Sequence, residues 1–171
     1  MKTIVIGLGN TLLRDDGAGI YVVRLLRRLI EELEHRPEAE LIEAELAGMD
    51  IIEKLEGFDK AIIIDAIQLR GFKAGTVFRL RPDDFRTTPR LASFHDIDLV
   101  TALELGRRLE LSMPEDVLIL AIQAEDTVTI EEGCTSVVEA VIEDVAKEVL
   151  TLLTGKSGKR VSIPLGPAKE T

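Results

Sequence analysis

Short apolar runs alternate along this chain with longer stretches whose apolar residues recur three and four positions apart. That rhythm predicts strand–helix–strand units and a mostly parallel sheet. Residues 2–8 (KTIVIGL) read as a buried strand ending at Gly7 and Gly9. Val22, Leu25, Leu26, Leu29 and Leu33 then mark one stripe of a helix that starts near Asp16. Residues 39–45 (AELIEAE) alternate as a second strand, and Gly48 leads into a short helix over 49–56. The run 61–67 (AIIIDAI) is apolar on both faces, as a central parallel strand is.

Between Gly75 and Pro82 the alternation returns. It predicts an edge strand with one solvated face, antiparallel to its neighbour because only a short turn at Arg70-Gly71 precedes it. Residues 83–95 read as a loop, followed by a helix presenting Leu99, Ala102, Leu103 and Gly106, with Ser93 or Asp96 as its cap. Residues 116–123 (DVLILAIQ) give another buried strand. The last helix runs over 134–153 with Val138, Val141, Ile142, Val145, Val149 and Leu152 inward. The expected fold is one α/β domain of three layers over residues 1–154. Its twisted, mostly parallel sheet has about five strands, one antiparallel edge strand, and helices on both faces. Residues 155–171, rich in Gly, Pro and Lys, read as a flexible C-terminal tail.

Composition narrows the function classes. At 171 residues, 46% hydrophobic and 30% charged, the chain suits a single soluble domain with a full core. Its net charge of −10, from 21 Lys+Arg against 31 Asp+Glu, argues against sequence-independent nucleic-acid binding, which needs a basic stripe. The single cysteine, Cys134, leaves no internal disulfide and no CxxC cluster, and reads as a small buried side chain. The apolar start MKTIVIGL stops too early for a signal peptide, and no run approaches the ~18 apolar residues of a membrane span. The expectation is a cytoplasmic monomer that binds neither membrane nor nucleic acid.

In an open parallel sheet, ligands bind beyond the carboxyl ends of the strands. There this sequence places Gly9, Asn10 and the DDGAG turn, Asp65, then Gln123, Glu125 and Asp126, with His95 opening a helix from the 83–95 loop. Asp16, Asp65 and His95 can therefore meet on one edge. Two carboxylates and an imidazole make an open three-ligand site, but donor chemistry alone does not choose among nickel, zinc, copper and iron. Each residue also has a plainer reading. Asp65 can cap a strand, Asp15 or Asp16 can cap the first helix, and His95 can lie on the surface, as His35 does in its charged helix end. GLGN suggests dinucleotide binding, but the third fingerprint glycine is Leu12, and two aspartates would repel a pyrophosphate. No G-x-S-x-G elbow is present.

The segment GLGNTLLRDDGAG at 7–19 resembles the N-terminal signature of the hydrogenase maturation proteases. The similarity continues through Ala47-Gly48-Met49, Asp65-Ala66, Ser93-x-His95, Glu125 and Gly133-Cys134-Thr135, covering about residues 1–153 in order. The resemblance implies an endopeptidase that removes a C-terminal extension from the large subunit of a nickel–iron hydrogenase. It also implies that Asp16, Asp65 and His95 contact nickel already carried by the precursor, making cleavage a checkpoint on nickel insertion. Relatives often carry Glu where this chain has Asp16. A non-catalytic, metal-sensing chaperone of the same subunit would use the same ligands, and a nucleotide enzyme is the third reading.

Overall fold

A computed structural model describes residues 1–45, 50–87 and 94–155, with residues 85–87 and 94–98 described by backbone alone. The five strands are β1 (Thr3–Leu8), β2 (Ala39–Ala44), β3 (Lys60–Ile67), β4 (Val77–Leu80) and β5 (Asp116–Gln123). The helices are α1 (Ala18–Glu31), α2 (Asp50–Leu55), α3 (Pro82–Thr87), α4 (Phe94–Arg108) and α5 (Ser136–Thr154). The sheet order is β2-β1-β3-β5-β4, parallel throughout except for β4 against β5. This is the expected three-layer α/β domain.

Pleat alternation divides the central strands between two cores. Val5, Ile62, Ile64, Leu120 and Ile122 pack under α1 and α5, against Val22, Leu26, Val138, Val145 and Val149. Ile4, Ile6, Ile63, Val117 and Ile119 face α2 and α4, against Ile52, Leu55, Leu99, Ala102 and Leu103. Burying each such aliphatic side chain contributes about 1.5–3 kcal/mol, so the two faces together outweigh any single polar contact. Arg24 and Arg27 on α1 both pair with Glu43 on β2, bolting the edge strand to the helix layer. Burial raises the Glu43 pKa, but the hydrogen bonds and charges of Arg27 and Arg24 outweigh it and hold the carboxyl below its ordinary value.

Five expectations shift. The edge strand is antiparallel, but its partner is β5 rather than the preceding β3, because β5 slots between them. Gln123, 5% exposed, secures that junction: its side-chain amide donates to Leu69 O and its Oε1 accepts from Leu69 N–H. The segment from 83 is not all loop. Pro82 opens α3, where its missing N–H costs nothing, and the Asp84 carboxylate accepts from the Arg81 N–H. Asp96 is the third residue of α4 and so lies inside the helix rather than capping it. Leu33 lies past the end of α1, and Leu152 is 38% exposed, because the 3.6-residue period hands the inward place in the last turn to Leu153. Ser93, the Ala47-Gly48-Met49 segment and the tail beyond Gly155 lie outside the described residues. Among the described residues no helix is long and apolar enough to cross a membrane.

Candidate active site

The carboxyl edge of the sheet is built around a chain of glycines. Gly9 has φ +133°, and a Cβ there would sit 1.7 Å from the Asp16 carbonyl oxygen. Gly19 lets the first turn of α1 lie directly on the strands: a Cβ would meet Ile64 O at 2.2 Å and Leu8 O at 2.4 Å. These glycines serve backbone approach between α1, β1 and β3. The close helix–strand contact that a dinucleotide fold obtains from its third glycine is here supplied by Gly19.

Between β1 and α1, residues Arg14–Gly17 make one turn of 3-10 helix. Three residues per turn send the adjacent Asp15 and Asp16 in different directions. Asp15 points inward and is completely buried. Its Oδ1 accepts the Thr135 N–H at 2.6 Å, while Oδ2 accepts from Glu125 N–H, Asp126 N–H and the Thr135 hydroxyl at 2.9–3.0 Å. Asp16 is half-buried, and its Oδ2 accepts the Asn10 N–H at 2.9 Å. Among the described residues no donor engages its Oδ1.

Asp65 comes from the middle of the sheet. The β1–β3 ladder ends with Gly7 opposite Ile64, so Asp65 is the first residue beyond it, while on its other side it still pairs with Ala121. It shares the phase of Ile63 and Ile67, whose side chains face α2 and α4. Only 6% exposed, it accepts the Ala66 N–H at 2.8 Å through Oδ1. The turn bearing Asp16 lies against β3, so both aspartates belong to this edge.

Topology carries His95 to the same edge. The segment after α4 bonds to the amino edge, where Gly57 N–H donates to Ser112 O and Glu115 N–H to Asp59 O. The helix therefore runs back along the sheet, antiparallel to the strands. Its 15 residues span about 22 Å, close to the length of β5, which puts its first turn at the carboxyl edge. His95 is the second residue of that turn, and its side chain lies outside the described residues. Among the described residues alone, no group of three His, Cys, Asp and Glu side chains could hold a metal.

Asp126, which the sequence placed at this edge, and Cys134, which it read as a small buried side chain, are structural. Asp126 caps its own loop, accepting from the Thr129 hydroxyl at 2.5 Å and from the Val128 and Thr129 N–H groups at 3.0 Å. Those bonds, the hydroxyl foremost, hold its carboxyl down to about 2. Cys134 is half-buried with its Sγ 3.9 Å from Arg14 O, and burial first, then the Asp15 charge, pushes the thiol up to about 12. That is far from a nucleophilic thiolate. Sequence reasoning missed Asp15 as the structural centre of the edge. Its signal was the adjacency of two aspartates in a tight turn, where one must face inward.

A family model described as hydrogenase maturation protease matches residues 21–152. The chain belongs to that family. The match begins beyond the GLGNTLLRDDGAG turn and takes in the later, shorter motifs of the resemblance. The Hydrogenase 2 maturation protease of Escherichia coli strain K12 is 30% identical over 161 residues, covering 90% of this chain and 91% of that one. The hydrogenase expression/formation protein HoxM of Cupriavidus necator is 25% identical over 173 residues, covering 97% and 82%. In three dimensions the chain is similar to the hydrogenase maturating endopeptidase HybD from E. coli. The TM-score is 0.75 at 28% identity, over 91% of this chain and 94% of that one. Membership in the maturation protease family makes the chain a hydrolase, against both the nucleotide-enzyme and the non-catalytic chaperone readings.

Proposed function

We propose that this protease removes the C-terminal extension of a nickel–iron hydrogenase large-subunit precursor after nickel insertion, with Asp16, Asp65 and His95 engaging the metal. The observation that carries the reading is the convergence at one sheet edge. A half-buried carboxylate from the turn before α1 and a nearly buried one from β3 share it with the first turn of α4. Carboxylate oxygens with an imidazole suit a borderline divalent ion, and Asp16 Oδ1 accepts no hydrogen bond among the described residues. Nickel in this reading is part of the substrate and supplies Lewis acidity beside the scissile bond. The three side chains dock the precursor by completing the ion's coordination. A carboxylate of the pair then accepts the proton of the attacking water and returns it to the departing amine. Asp16, one methylene shorter than Glu, is held by the Asn10 N–H, which limits the directions it can take.

The test is mass spectrometry of a co-expressed large-subunit precursor, loaded or unloaded with nickel. The expected result is cleavage only of the loaded form, and a precursor left at full length by Asp16→Asn, Asp65→Asn or His95→Ala. Equal cleavage with and without nickel would overturn the metal-reading role. Intact cleavage accompanied by lowered nickel content in these variants would point to a delivery function instead.

A further inference from the structure

Asp15 is a completely buried carboxylate, and the cleavage chemistry proposed above gives it no part. Its four accepted bonds come from three residues in two separate places: Glu125 and Asp126 after β5, and both the N–H and the hydroxyl of Thr135 before α5. The grip is reciprocal, since the Asp15 N–H donates to Asp126 O and the Arg14 N–H to Glu131 O. The Glu131 N–H in turn donates to Leu12 O, so the 12–15 and 126–131 segments are laced together. Immediately after Asp15 stands Asp16, whose carbonyl rests on Gly9 and whose carboxylate is bonded to Asn10.

We infer that Asp15 is the positioning residue of the active site: its buried carboxylate locks the turn, the 125–131 loop and the start of α5 into one body, and so fixes where Asp16 presents its carboxylate. The inference rests on the role proposed for Asp16. A neutral isostere cannot replace the group. Oδ1 and Oδ2 both accept N–H donors, so the amide NH2 of an asparagine would confront at least one of them in either orientation. A charge-assisted bond is also about twice as strong as a neutral one. Thr135 needs a hydroxyl, which serine keeps and valine lacks.

The experiment measures cleavage of nickel-loaded large-subunit precursor, with kcat and KM separated, for Asp15→Asn, Thr135→Val, Thr135→Ser and Asp16→Asn. Each variant is assayed at a temperature where circular dichroism shows it fully folded. The expected result is a kcat lower by about 100-fold for Asp15→Asn and roughly 3- to 10-fold for Thr135→Val, with KM little changed. Thr135→Ser should restore the wild-type rate, and Asp16→Asn should be inactive. A folded Asp15→Asn with wild-type kcat and only a lower melting point would make Asp15 merely structural and overturn the inference. If Asp15→Asn does not fold, Thr135→Val decides alone, and an unchanged kcat overturns the inference. An active Asp16→Asn beside a slow Asp15→Asn would overturn it too, by removing the residue being positioned, and would locate the failure in the role proposed for Asp16.

Discussion

Replacing Gly19 with alanine tests the claim that this fold depends on backbone-to-backbone approach at the carboxyl edge. The new methyl would lie 2.2 Å from Ile64 O, 2.4 Å from Leu8 O and 2.9 Å from Leu8 N. All three are backbone atoms of central strands, so none can swing aside. Relief requires the start of α1 to rise by roughly an ångström, which forfeits about a quarter to a half of its dispersion contact with the sheet. Overpacking of this kind costs about 3 kcal/mol at the upper end of its range. Alanine recovers about 1 kcal/mol through its better helix propensity. The net loss of about 2 kcal/mol corresponds to a melting point lower by roughly 4–8 °C for a domain of this size. Gly106→Ala in α4 is the control. There the methyl would meet the Met113 side chain, its thioether Sδ at 2.6 Å and Cγ at 2.9 Å, and that flexible side chain can repack. That substitution should change stability by less than about 1 kcal/mol, propensity offsetting displacement. Differential scanning calorimetry of the two variants reads the contrast. Equal melting points would refute the argument that backbone obstruction, rather than any added methyl, sets the cost.

Two other expectations follow from ionisation at the same edge. With its thiol pushed up to about 12, Cys134 should resist iodoacetamide at pH 8 in the native protein and react in urea, as read by added mass. Because the folded pKa is the raised one, this group's contribution to stability is present below about 9 and declines as pH climbs towards 12, so alkaline melting curves should shift down. Asp126 has the opposite sign: its carboxyl, held down to about 2, stabilises the fold above the ordinary 3.8 and loses that contribution as pH falls towards 2. Thr129→Val should return the Asp126 titration in NMR spectra towards 3.8, and an unmoved titration would deny the hydroxyl its leading part.

The sheet was legible in the sequence because burial leaves a local mark. Ile62, Ile63 and Ile64 announce a strand covered on both faces, and the Val138, Val145, Val149 spacing announces the helix that covers one of them. The parallel direction of most strands, and the carboxyl edge as the candidate binding edge, follow from those blocks and from general rules of chain connection. The motif at 7–19, with the shorter ones after it, pointed to the family, and the family model matches residues 21–152. What the local pattern could not encode was partnership between distant segments. The insertion of β5 between β3 and β4 depends on which edge is free after the helices have packed, and no residue of Val77–Leu80 records that choice. The same holds for the two aspartates. Asp15 and Asp16 are identical side chains one peptide apart; the sequence singled out Asp16 as a candidate metal contact, left a helix cap open for either, and gave no sign that Asp15 is the buried one. Only the meeting of the 3-10 turn with Glu125, Asp126 and Thr135, more than a hundred residues away, made one a buried anchor and left the other at the edge. The donors that satisfy a buried charge come from wherever the tertiary fold brings backbone N–H groups together, and that information is spread over the whole chain.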